Sequence, residues 1–110
     1  MIRLTVLYDL PDGVDEEEFL AWRLGEHQTA NAGMPGVTYT DFARVVDSWP
    51  SGTAPRRRFM TIVDWPDEAT FSSSFYTDSA QQKLHEDVKR IRGFEFYISE
   101  ILVTHGARST

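Results

Sequence analysis

Residues 14–34 read VDEEEFLAWRLGEHQTANAGM, and the face that this stretch turns inward decides how the chain folds. At about 100° per residue, Phe19, Leu20, Ala30 and Met34 fall on one stripe, the mark of an amphipathic helix. Arg23 and His27 project from the middle of that stripe, one turn apart and on the same side. An unpaired guanidinium is costly to bury. Either this face meets no dry core, or it lines a polar pocket. The start of the helix is well marked. Asp15 stands at the N-cap, Glu18 completes a capping box, and Val14 and Phe19 occupy the staple positions. Gly33 and Pro35 end it.

Strands flank this helix. Residues 2–9 alternate as Ile2, Leu4, Val6, Tyr8 against Arg3, Thr5, Leu7, Asp9. After the helix, residues 36–47 read as a second strand, 48–55 as a loop and 57–65 as a third strand. The third strand carries Met60 and Ile62 on one face and Phe59, Val63 and Trp65 on the other. Residues 67–76 form a short helix with Phe71 and Phe75 one turn apart. Asp78 then caps a longer helix with the seam Leu84, Val88, Ile91, and Gln81 stands at its capping-box position. Residues 94–104 make a last strand, again apolar on both sides. The order β-α-β-β-α-β is the ferredoxin-like split βαβ plan, an α+β fold with the helices on one face of an antiparallel sheet. The other face of such a sheet is ordinarily wet. Here it is apolar, so a second layer is needed, and another copy of the chain is the simplest source. A homodimer packed sheet to sheet is expected.

With 110 residues the chain suits one domain, expected over residues 1–105, with a flexible tail at 106–110. There is no cysteine, so disulfides, thiolate metal sites and cysteine nucleophiles are excluded. Apolar runs are too short for a membrane span and the start has no signal-peptide pattern, so a cytoplasmic protein is expected, with no membrane partner. A net charge of −6 argues against nucleic-acid binding. The one basic cluster, Arg56 to Arg58, reads as a solvated loop end. The three histidines are too dispersed for a metal signature.

The opening Leu4, Thr5, Val6, Leu7, Tyr8, then Phe19, Trp22, Arg23, Glu26, His27 and Met34, Pro35, Gly36, Val37, resemble the dimeric α+β barrel superfamily over about residues 1–104. Within it they look like the EthD family, whose first helix carries a Trp-Arg-x-x-His type pattern before a Leu-Pro-Gly turn. The Val-Leu-Tyr-Asp-Leu opening also resembles REDY-like proteins. Two departures stand out: Thr29 replaces a proline usual in EthD chains, and residues 77–82 lack the histidine of some ring-closing members. The resemblance implies a small-molecule pocket between helices and sheet, in secondary metabolism or catabolism, and usually no bound cofactor.

His27 leads the catalytic candidates, because imidazole moves protons near neutral pH and it matches the family histidine. The alternative is a satisfied core histidine. Arg23 offers a fork of donors to a carboxylate, phenolate or enolate oxygen. Its alternative is a structural pair with Asp9, Asp64 or Glu100. Asp9 orients His27 if its side of the first strand meets the helices. Tyr39, Thr61, Trp65, Phe71, Phe75 and Tyr97 would suit a flat aromatic ligand. The expected function is a cofactor-independent enzyme of secondary metabolism that cyclises, dehydrates or isomerises an aromatic or polyketide-like intermediate. Two other readings stay open: a non-catalytic carrier of a hydrophobic metabolite, and a cofactor-free oxygenase.

Overall fold

Leu4, Val6 and Tyr8 are buried while Arg3, Thr5 and Leu7 are half-buried, so strand β1 (Ile2–Asp9) turns its Leu4 side towards the helices. The computed structural model describes residues 1–106. The tail expected from residue 106 lies, from residue 107 on, outside the described residues. Strand β1 pairs antiparallel with β3 (Phe59–Trp65) on one side and with β4 (Arg92–Glu100) on the other. Strand β2 (Tyr39–Arg44) pairs antiparallel with β3, giving the order β2-β3-β1-β4. This is the expected ferredoxin-like α+β sheet. The register sets Val6 opposite both Thr61 and Phe96, and Phe42 opposite Thr61, so one row crosses the whole helix-side face.

The first helix is not continuous. Helix α1 (Glu16–Trp22) passes into a π-helical turn (Arg23–His27) and then α2 (Gln28–Ala32). Gly25 leaves helical geometry at φ −91°, ψ −116°, a departure that a residue without a Cβ makes at little cost. The apolar stripe runs through the break, which is why periodicity alone reads one helix. Asp15 caps α1 as expected, its carboxylate accepting the Glu17 amide at 3.0 Å. Helix α3 (Glu68–Phe75) is capped by Asp67, which accepts the Thr70 amide. The cap of α4 (Asp78–Asp87) differs from expectation. Thr77, held extended, accepts the Ala80 amide at 3.1 Å, while Asp78 is the first helical residue. Gln81 instead donates to the Phe75 carbonyl.

Two aromatic groups fill the core between helices and sheet. Tyr8, Phe19 and Phe59 meet at centroid distances of 5.4–6.1 Å, and Trp65 packs edge-on against Phe71 at 5.0 Å. Gly36 sits beside Trp65 at φ +79°, and a Cβ there would run into the Thr70 side chain. That close approach places the Pro35 carbonyl 3.1 Å from Trp65 Nε1, which donates to it.

On the far face of the sheet, Leu7, Met60 and Ile62 are half-buried and Tyr97 is 54% exposed. One end of this face is ionic. Arg3 donates twice to Asp64, at 2.8 and 3.0 Å, although Asp64 is fully buried. Tyr39 donates to Asp41 beside them.

Candidate functional site

A cavity of about 200 Å³ lies between the helix-side face of the sheet and the helices. Strands β1 and β3 floor it with Leu4, Val6, Tyr8, Thr61, Val63 and Trp65. Helix α1 and the π-turn contribute Phe19, Trp22, Arg23 and His27, and α4 supplies Lys83, Leu84 and Asp87. Exposure rises from Arg23 (1%) through His27 (14%) to Lys83 (56%), so the cavity is closed at Arg23 and opens along α4.

Arg23 is held at the closed end by neutral groups. Nη1 donates to Gln28 Oε1 at 2.6 Å and Nη2 to Thr61 Oγ1 at 3.1 Å. The guanidinium lies 4.3 Å over the Phe42 ring. The Tyr8 side chain lines the same end of the cavity, its hydroxyl near Arg23 and Thr61 but in hydrogen-bond geometry with neither. Among the described residues, no carboxylate lies within 4 Å of Arg23. Of the expected alternatives for it, Asp64 is held by Arg3 and Asp9 by the Arg57 and Arg58 loop, and Glu100, opposite Ile2 in β4, forms no ion pair with Arg23. Burial pulls Arg23 below its ordinary value, with the Tyr8 phenol and Asp87 acting against the shift. A guanidinium remains charged through such shifts. Tyr8 is pushed up by burial against the opposing pull of Arg23, so it stays a neutral phenol near neutrality.

His27 packs against Trp22 at 4.6 Å between centroids with the ring planes tilted by 34°, and Arg90 lies 4.5 Å over that same indole. The imidazole Nδ1 is buried and makes no hydrogen bond, with Asp87 Oδ2 at 3.4 Å. Proximity to Asp87 favours a charged ring. Burial and the Arg23 charge outweigh it, with Lys83 and Arg90 adding to the effect, and hold the ring at about 4, below its ordinary 6.5. The imidazole is therefore neutral at pH 7 and free to accept a proton.

This shift has a consequence for stability. The unfolded chain takes up a proton at His27 below about pH 6.5, whereas the folded chain resists until about pH 4. The His27 contribution is therefore fully present above pH 6.5 and is lost as pH falls towards about 4. Since the ring is partly exposed, we expect about 2 kcal/mol to be lost, less than the full linkage value. Urea unfolding of wild type and His27→Gln at one protein concentration checks this. The two stability curves converge or cross as pH falls through that window, and parallel curves would contradict the assignment.

Of the side chains singled out from sequence, His27, Arg23, Thr61, Trp65 and Phe75 line this one cavity. Asp9 does not. Its side of β1 faces away from the helices, and it accepts the Arg58 amide at 2.8 Å and faces Arg57 at 3.5 Å. Tyr39 and Tyr97 lie on the same far face, because their register partners are Asp64 and Thr5. Phe71 is core, packed on Trp65 and Phe75. Sequence reasoning missed Tyr8, Trp22, Lys83 and Asp87. Lys83 and Asp87 flank the Leu84 and Val88 seam at helical spacing, a signal that was available. Among the described residues, no group of three or more His, Asp or Glu is gathered as a metal ion needs. No described helix is long and apolar enough to cross a membrane.

No protein-family model matches the sequence, and comparison with curated proteins finds no match. Solved structures do match. An EthD-family protein from Bacillus halodurans is 19% identical, with a TM-score of 0.75 over 93% of this chain and 99% of that one. The hydroxynitrile lyase of Passiflora edulis is 13% identical, with a TM-score of 0.71 over 96% of each chain. SnoaB, a cofactor-independent oxygenase from Streptomyces nogalater, is 11% identical, with a TM-score of 0.67 over 94% of each. At these identities the likeness is one of fold. The chain shares its fold with these proteins and with a DABB-family protein from Mesorhizobium loti whose fold is ferredoxin-like.

Proposed function

We propose that this chain is an enzyme that moves a proton on a hydrophobic small molecule, cyclising, dehydrating or isomerising an aromatic or polyketide-like intermediate. One observation carries the reading. A fully buried guanidinium with only neutral hydrogen-bond partners stands beside a neutral imidazole, in a cavity whose remaining lining is mostly apolar. Leaving a charge unpaired costs folding energy that a plain core residue would avoid, and an anionic species in the cavity supplies the missing partner. His27 takes the proton and Arg23 holds the developing negative charge. Asp87, rather than Asp9, faces the His27 ring and favours its cation once formed. The apolar walls exclude water. Lyase and oxygenase activities are named for proteins of this fold, which fits acid–base work in such a cavity.

The test is turnover in heavy water with a panel of aromatic and polyketide-like ketones, alcohols and phenols, followed by NMR. Deuterium incorporation or a new product that depends on the protein and disappears in His27→Ala supports the reading. Binding without exchange or product points to a carrier, and oxygen consumption without exchange points to an oxygenase. Either outcome overturns it.

We further propose that residues 1–105 form one domain, and that two copies pack through the face bearing Leu7, Met60, Ile62 and Tyr97. These side chains are already partly covered, so closing over the rest of each is worth about 1 kcal/mol, and a symmetric interface gains it on both copies. Light scattering after size exclusion is expected to show a dimer at micromolar concentration and a monomer for Ile62→Glu. A monomeric wild type, or a dimer untouched by Ile62→Glu, would overturn this arrangement.

A further inference from the structure

The closed end of the cavity carries more donors than acceptors. Arg23 has five N–H groups and no acceptor, so the Tyr8 phenol beside it in the lining faces donors on that side. Thr61 Oγ1 accepts from Arg23 Nη2, which leaves the threonine hydroxyl hydrogen to turn towards the Tyr8 oxygen. With donors and no acceptor on that side, the Tyr8 hydroxyl hydrogen is free to donate into the cavity that its side chain lines. Two of the guanidinium's N–H groups are engaged, by Gln28 and Thr61. The others have no carboxylate to meet among the described residues. The ionisable lining consists of Arg23, Lys83 and Asp87 with a neutral His27 and Tyr8, so the cavity is net positive inside a chain of net charge −6.

We propose that Tyr8, Arg23 and Thr61 form an oxyanion subsite at the closed end of the cavity, and that the substrate is an enolisable carbonyl compound whose oxygen rests there while its acidic carbon faces His27. This deepens the proton-transfer reading and rests on it. The step balances within the site. The C–H bond beside the carbonyl breaks and its proton passes to the imidazole. The electron pair becomes the C=C bond, and the carbonyl pair moves onto oxygen, which takes hydrogen bonds from Tyr8 and Arg23. Return of the proton to either end of the enolate restores His27 and gives starting material or its isomer. No oxidant, reductant or second substrate is consumed. Donors already fixed by Thr61 and Gln28 need no reorganisation when the charge develops, which is where such a subsite gains its effect.

4-Nitrophenol is the probe, because its phenolate carries the same kind of delocalised oxyanion and absorbs in the visible. Mixed with the full chain about one pH unit below its own ionisation midpoint, it is expected to bind as the coloured anion, with its ionisation constant raised about tenfold. Tyr8→Phe keeps the ring and removes only the hydroxyl, and is expected to lose about threefold of that gain. Arg23→Met is expected to abolish it. If 4-nitroanisole binds as tightly as 4-nitrophenol, or the phenol binds uncharged, the subsite is refuted while the cavity and the role of His27 stand. If 4-nitrobenzoate binds more tightly than the phenolate, the subsite takes carboxylates and the enolisable substrate class is refuted. Failure of all three probes to bind counts against the subsite and against the reading beneath it.

Discussion

His27→Ala is expected to lower turnover by about 10²–10⁴, the loss of an acid–base group that contributes about 3–5 kcal/mol to the barrier. The size is the range for a positioned acid–base group, and the state of the ring makes it available as the base. At pH 7 it is already neutral, so nearly every molecule carries a competent base. The same fact fixes the pH profile. A base must be unprotonated, so kcat/KM falls as pH drops through about 4, instead of near the 6.5 of an ordinary histidine. Neighbours move this limb in opposite senses. Asp87 raises the His27 value, so Asp87→Asn shifts the limb to lower pH, whereas Lys83 lowers it and Lys83→Met shifts the limb up. A role for Asp87 in packing alone would reduce the rate without moving the limb. Full turnover by His27→Ala removes the mechanism.

Much of the frame is legible in the sequence because it rests on local physics. The alternation of β1, the Asp15 cap and the Pro35 turn all depend on residues close in sequence, and each appears where local rules put it. The site is legible only in part. Strand β3 is apolar on both faces, and the far face of β1 still carries Leu7, so alternation alone does not fix which side of the sheet meets the helices. Choosing the Leu4 side brings in Tyr8 and takes out Asp9, Tyr39 and Tyr97 together, because side chains on a strand change face as a set. The partners of His27 are a tertiary matter: Asp87 is 60 positions away in a helix whose docking no local rule sets. The break at Gly25 is hidden for a different reason. The stripe from Phe19 to Met34 keeps helical spacing through it, and only the glycine marks where the backbone departs.

Arg23 and Trp65 are both almost wholly buried in the same cavity wall, yet they contribute differently. Trp65→Ala is expected to destabilise the fold by about 3–5 kcal/mol, the range for emptying an aromatic side chain from a core. Trp65 closes β3 with no exposed surface, meets Phe71 edge-on, and donates Nε1–H to the Pro35 carbonyl. It therefore ties the end of the sheet to the turn that leads from α2 into β2. Against a typical total of about 5–15 kcal/mol, such a loss leaves a marginal protein. Magnitudes separate the two contributions. The hydrogen bond is worth about 0.5–1.5 kcal/mol net, so Trp65→Phe, which keeps most of the ring volume, is expected to cost about 1–2 kcal/mol. Urea midpoints at one protein concentration, with unchanged slopes, read both values. A Trp65→Ala loss below about 1 kcal/mol would mean that the wall collapses to fill the space, and the cavity beside Tyr8 and Thr61 would then lack the rigid boundary that orienting a flat substrate requires.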